Sequence, residues 1–148
     1  MIFKKSMEVR WSDIDANQHL THTAYAVFST HTRVMWMESI GYSMADLLRS
    51  GFSAVFLKEQ TEYFCEIYLG EMVHVELHFA GESEDHSHWK FVQKFLNSQG
   101  KLSAINTVYG AWIDAKTRKI SAPPPVLLDK FCTISKDDNF ENLRNLLS

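Results

Sequence analysis

Proline is missing from the first 122 residues and occurs only as the run Pro123–Pro125. The chain before that run can therefore form long helices and strands without a lost backbone donor. Cysteine is almost as scarce. Cys65 and Cys132 are the only two, and their spacing fits neither a metal knuckle nor a redox pair. That excludes a disulfide scaffold and reads as two reduced, buried thiols in a cytoplasmic protein. No apolar run approaches the roughly 18 residues that a membrane helix needs. The start, "MIFKKSMEVR", is not followed by the apolar core of a secretory leader. An excess of basic charge is also lacking: the formal net charge is -3, and Lys and Arg are scattered. Nucleic-acid binders carry a basic stripe, so neither a nucleic-acid partner nor membrane insertion is expected.

What is present fits one domain over residues 1–148, with 45% hydrophobic and 22% charged residues. A chain of this length buries roughly 70% of the surface its unfolded form exposes. Residues Lys5–Ser12 alternate loosely and read as a strand. "TAYAVFSTHTRVMWMESI", Thr23–Ile40, reads as a helix closed by Gly41. Only Arg33 and Glu38 in it are charged, and apolar residues fall on nearly every side. Such a helix is expected to be buried over most of its circumference, with His31 a satisfied core histidine. Ser43 is a candidate N-cap for a short helical turn that ends at Gly51.

After Ser53 the period changes to two. "MVHVELHF" puts Val73, Val75, Leu77 and Phe79 on one face and His74, Glu76 and His78 on the other. The second face reads as polar cover in preference to a metal site, because it has no recognised ligand spacing. Trp89, Phe91 and Phe95 repeat the alternation, and "LSAINTVYGAWI" is apolar on both faces in its second half. Tyr68–Glu71, Asn97–Lys101 and Asp114–Arg118 read as hairpin turns. "DDNFENLRNLLS" reads as a terminal helix with Phe140, Leu143 and Leu147 on one side, so 131–148 is expected to be a helical tail. One strand, one long helix and four or five antiparallel strands make an α+β architecture in which the sheet wraps the helix. That helix needs more cover than one small sheet supplies, which favours a dimer.

Arg10–Tyr25, "RWSDIDANQHLTHTAY", gathers two aspartates and two histidines at the mouth of the buried helix. "SDIDANQHLTHTAY" resembles the motif of the hotdog-fold acyl-CoA thioesterases of the hydroxybenzoyl-CoA thioesterase-like superfamily: a strand, Asp-x-Asp, a turn, then polar residues before a Tyr early in the long helix. "EQTEYFCEIYLGEMVHVEL" is similar to the family's second-strand region, and "WIDAKTRKISAPPP" to its last hairpin and exit proline. The likeness covers about residues 7–130. The commoner pattern has two Asn where this chain has Thr21 and His22. His22 is similar to the histidine of the subgroup associated with the Tol–Pal envelope system, and His19 to that of the other version. Lys4 stands where that subgroup carries an aromatic.

The resemblance implies a hotdog fold and hydrolysis of an acyl- or aroyl-CoA by a cytoplasmic homodimer or homotetramer, with no cofactor and no metal. The backbone N–H groups at a helix start are orphan donors with about half a positive charge behind them. A thioester carbonyl aimed there, near His22, would be polarised as in an oxyanion hole. Asp15 would attack it directly or deprotonate water, with His22 beside it as the second catalytic candidate. Asp13 reads as structural, bonded to nearby backbone. The substrate-binding candidates are His19, Tyr25 and Glu59, the last because one branch of the superfamily carries its acidic catalyst on that strand. Taken alone, Asp15 reads first as a turn or capping aspartate. The competing function is a non-catalytic hotdog module that binds acyl-CoA or a protein.

Overall fold

Alternation and strand pairing agree along most of the chain in a computed structural model, which describes residues 1–144. In chain order come β1 (Phe3–Glu8), a 3-10 turn (Trp11–Asp13), α1 (His22–Ser39), α2 (Met44–Arg49), β2 (Phe52–Tyr63) and β3 (Met72–Ser83). β4 (His88–Leu96), β5 (Leu102–Asp114), α3 (Pro125–Phe131) and β6 (Lys136–Leu143) follow. The sheet runs β1-β3-β4-β5-β2 and is antiparallel along that path, while β6 lies parallel to β3. Among the described residues no helix is long and apolar enough to cross a membrane.

The odd-numbered residues Val73 to Phe79 are buried, as their alternation predicts, and α1 packs across that face. The core falls into two clusters. Trp36 and Met37 meet Leu77, Phe79 and Phe91 towards the end of α1, while Tyr25 and Phe28 meet Val73, Val75 and Phe95 near its start. Each such side chain stabilises the fold by about 1.5–3 kcal/mol when fully buried. Between the clusters Gln93 donates from Nε2 to the Ser29 carbonyl at 2.9 Å and accepts from the Arg33 guanidinium at 2.5 Å.

The ends of α1 and α2 follow their local chemistry. Gly41 takes φ +75, donates to the Glu38 carbonyl and lets Tyr42 N–H reach back to the Met37 carbonyl, a Schellman closure. Ser43 and Asp46 cap each other's backbone N–H, so the predicted N-cap is a full capping box. Asn97–Lys101 is the β4–β5 hairpin turn, with Gly100 at φ +78, and Asp114–Arg118 is closed by Asp114 N–H to the Lys119 carbonyl.

Several expectations are corrected. α1 buries one stripe, Ala24–Tyr25, Phe28–Ser29, Thr32–Arg33 and Trp36–Met37, and not most of its circumference. Its other side is open, with Val27 62% exposed and His31 exposed, so His31 is no core histidine. The strand expected over Lys5–Ser12 is β1, which ends at Glu8, and Trp11–Asp13 is a 3-10 turn. Tyr68–Glu71 is a tight turn but not a hairpin, because β2 and β3 do not pair: the chain crosses there between distant strands. Cys65 is half-buried and Cys132 exposed. The tail is a short helix followed by a strand. β1 covers Met72–Leu77 of β3 and β6 continues the same strand over Phe79–Ser83, a pairing that outweighs the helical spacing. Leu147 lies outside the described residues.

At Gly110 the indole of Trp89 lies so close that an added Cβ would come within 2.1 Å of it, with the Val55 carbonyl at 2.6 Å. Trp89 is 4% exposed and wedged among Phe56, Phe91 and Trp112, so it has no easy retreat. Gly110→Ala is expected to lose about 3 kcal/mol from this overpacking. Urea unfolding checks it, and an unchanged midpoint would mean that the Trp89 ring can move aside.

Candidate active site

Helix α1 begins without a side-chain cap. Thr21 takes the N-cap position in extended conformation, its hydroxyl makes no cap hydrogen bond, and the first turn carries no acidic residue. Thr21 N–H donates instead to the Asp13 carbonyl at 2.8 Å, and Ala24 N–H to the Thr21 carbonyl at 2.9 Å. The N–H groups of His22 and Thr23, which have no partner among the described residues, keep the donor capacity and partial positive charge of an open helix start.

The loop in front of that start is tied down on itself. Ile14 bridges Leu20, Asp15 N–H donates to the His19 carbonyl at 2.9 Å, and Gln18 turns the tip at φ 65. Asp15 Oδ1 accepts from the backbone N–H of Asn17 at 2.9 Å and of His19 at 3.2 Å. One carboxylate oxygen therefore shapes the loop, and the other has no hydrogen bond among the described residues. Asp13 is buried, accepts from Arg10 N–H at 2.9 Å and is ion-paired with the Arg10 side chain at 3.2 Å. Its role is structural, as its position before the turn suggests.

Asp15, His19, His22 and Tyr25 line one cleft of about 310 Å³. The opposite wall is Tyr63, Phe64, Cys65 and Glu66, where the chain leaves β2. Four of the five sequence candidates are thus brought together. His19 stands edge-on to Tyr68 with ring centres 5.0 Å apart. Tyr25 is both core and wall: its ring meets Phe95 and Tyr63, each at 5.1 Å. Burial, with Tyr63, Cys65, Glu66 and Asp15 nearby, pushes its phenol up to about 12. It stays a neutral hydroxyl throughout the ordinary pH range.

Glu59 is the candidate the structure does not bring to this cleft. It sits inside β2 opposite Val108, one strand segment back from Tyr63. The carboxylate actually present on the second wall is Glu66. It follows the strand by only a few residues, yet nothing in "EYFCEIY" marks it apart from Glu62 until β2 is seen to end at Tyr63. Elsewhere His74 Nδ1 pairs with Ser6 Oγ at 2.6 Å and His78 with Glu76 at 3.3 Å. Among the described residues no three His, Cys, Asp or Glu side chains come together as a metal cluster.

With this geometry in view, a model of the thioesterase-like superfamily matches residues 9–131. The chain belongs to that superfamily. Its fold is the hotdog fold, similar to that of a hypothetical protein from Staphylococcus aureus solved in complex with CoA, at 20% identity and a TM-score of 0.82 over 99% of this chain and 96% of that one. A 1,4-dihydroxy-2-naphthoyl-CoA thioesterase from Synechocystis aligns at 15% identity and 0.81, covering 90% of this chain and 97% of its own. A DHNA-CoA thioesterase from Staphylococcus aureus aligns at 19% and 0.79, covering 88% and 89%. A search of curated proteins finds no significant match. In this member of the superfamily the cleft opens at the helix start.

Since Oδ1 of Asp15 holds the loop, Asp15→Ala is expected to speed amide exchange at Asn17 and His19 by about fivefold, the worth of one lost hydrogen bond. Asp15→Asn keeps the acceptor oxygen and should leave both rates near wild type. Exchange measured by NMR checks this, and protected amides in the alanine variant would refute the loop-holding role.

Proposed function

We propose that this protein hydrolyses an acyl- or aroyl-CoA thioester to the free acid and CoA, with Asp15 as the reacting carboxylate. The observation that carries the reading is the meeting, in one cleft, of an Asp15 oxygen left over from the loop and the uncapped start of α1. In the reaction a water oxygen bonds to the thioester carbon while its proton passes to Asp15. The carbonyl oxygen, now negative, is stabilised by the N–H groups of His22 and Thr23. The C–S bond then breaks, and the thiolate of CoA leaves and takes up a proton. Direct attack by Asp15 would form a mixed anhydride that water opens to the same products. We assign His22 at the helix start and the neutral Tyr25 hydroxyl to holding the carbonyl end, and His19 to keeping the loop in register, on their shared lining of the cleft. The CoA complex of one structural relative and the CoA-thioester names of two others support CoA as the carrier.

The functional unit we infer is a dimer joined along the outer edge of β2. That edge carries exposed Phe56 and Tyr63, with exposed Phe64 just past its end. Sedimentation equilibrium is expected to give twice the chain mass, and a monomer at micromolar concentration would overturn it. A tetramer would mean a second interface.

A second reading, a non-catalytic acyl-CoA-binding module, is favoured by one feature: Asp15 already has a structural job in its loop. Thiol release from short, long and aromatic acyl-CoAs separates the two. Wild type should turn over, and Asp15→Asn, which keeps the loop acceptor, should fall by about 100-fold or more. Turnover that survives would move the chemistry to Glu66, the other carboxylate of the cleft. No turnover on any acyl-CoA would leave the binding module.

A further inference from the structure

Past the polar belt, the second half of α1 covers a different space. A cavity of about 320 Å³ opens between α1, α2 and the inner face of the sheet. Trp36, Phe56, Trp89, Trp112 and Phe131 supply aromatic wall, and the one charged side chain on it is Arg33. It is separate from the Asp15 cleft: no residue lines both. Arg33 and His22 stand about 16 Å apart along the helix axis at 1.5 Å per residue.

Arg33 is 8% exposed, yet its guanidinium has no carboxylate within ion-pair distance among the described residues. Its partners are neutral: Gln93 Oε1 at 2.5 Å, Thr30 Oγ1 at 3.0 Å and the ring of Phe56, 5.3 Å from its centre. Those two hydrogen bonds use two of the five N–H donors of a guanidinium. Burial pulls its pKa down to about 10, with Glu59 acting in the opposite direction from beyond contact range. It remains a cation at neutral pH. A buried cation without a counter-ion costs several kcal/mol unless something pairs with it. The donor fork matches a carboxylate, and the walls match an apolar body.

We propose that this cavity binds an apolar carboxylate, with the carboxylate on Arg33 and the hydrocarbon or aryl body among the tryptophan and phenylalanine rings. The shared chemistry has two sources, a free acid or the far end of a dicarboxylic acyl group. Neither the binding nor its readout depends on thioester hydrolysis. Three of the four tryptophans line the cavity and the fourth, Trp11, is 82% exposed elsewhere. Trp11→Phe therefore leaves a protein whose indole fluorescence reports on the cavity.

The test is a fluorescence titration of Trp11→Phe protein with octanoate and with octanamide, its neutral counterpart, at pH 7.5. Octanoate is expected to bind about tenfold or more tightly than octanamide, the scale of one charge-assisted hydrogen-bonded pair. Adding Arg33→Met, which suits apolar walls, should abolish that preference while octanamide binds within about twofold of before. Arg33→Lys should retain part of it. Equal binding of acid and amide by the parent protein overturns the proposal without any Arg33 variant, as does a spectrum that octanoate leaves unchanged at millimolar concentration. A folded Arg33→Met protein with undiminished preference for the acid overturns it too, whatever stability it loses to the unpaired Gln93 oxygen. The source is read by competition in the Trp11→Phe, Asp15→Asn background, where the acyl-CoAs stay intact. Displacement of octanoate by suberyl-CoA but not by octanoyl-CoA assigns the carboxylate to an acyl group. Octanoate bound undisturbed by both assigns a separate site for free acids.

Discussion

The side-chain amide of Gln93 fixes where α1 lies. Apolar packing tolerates substitution and small shifts so long as volume is kept, so a helix held only by grease has no strong reason to prefer one axial position. Gln93 removes that freedom by donating to the Ser29 carbonyl and accepting from Arg33. It is wholly buried, and leaving either end of the amide unpaired there would cost about 1–3 kcal/mol. The two apolar clusters fill the space on either side of this contact. The position of the helix start follows from it, and so does the distance from His22 to the wall that Tyr63–Glu66 supplies.

Much of this was legible from the residues. Alternation in β3 and β4, the Gly41 and Ser43 signals and the turn around Gly100 are local, and local chemistry decides them. The Asp15 loop was legible for the same reason, since the chain that carries Asp15 also carries His19, His22 and Tyr25. What escaped depends on partners distant in sequence. Phe140 has helical spacing with its neighbours, yet it meets Phe79 at 5.3 Å from within a strand because β1 leaves the edge of β3 away from β4 uncovered there. Glu59 and Glu66 look alike in sequence, and only the end of β2 tells which one reaches the cleft. The open side of α1 is a related case: its apolar residues read as buried, and in one chain they are not.

The helix serves two spaces with opposite needs. Its start offers unspent donors to an electron-rich group and is flanked by residues that can exchange protons. Its later turns offer aromatic surface and a single fixed cation. The polar belt between them keeps water-seeking and water-avoiding chemistry apart over the length of one helix, which explains how a domain of this size can present both without an insert or a second lobe.

The sheet's two borders are unlike each other. One is the six-residue β1, short and bearing Lys4 and Lys5, with β6 laid end to end beside it along β3. Short, lysine-bearing borders resist adding a neighbour. The other is the twelve-residue β2, whose outer side has no strand against it among the described residues. Two copies that met through their long borders would leave only guarded ones facing outward, and the asymmetry of the borders would then stop the sheet from growing into fibres.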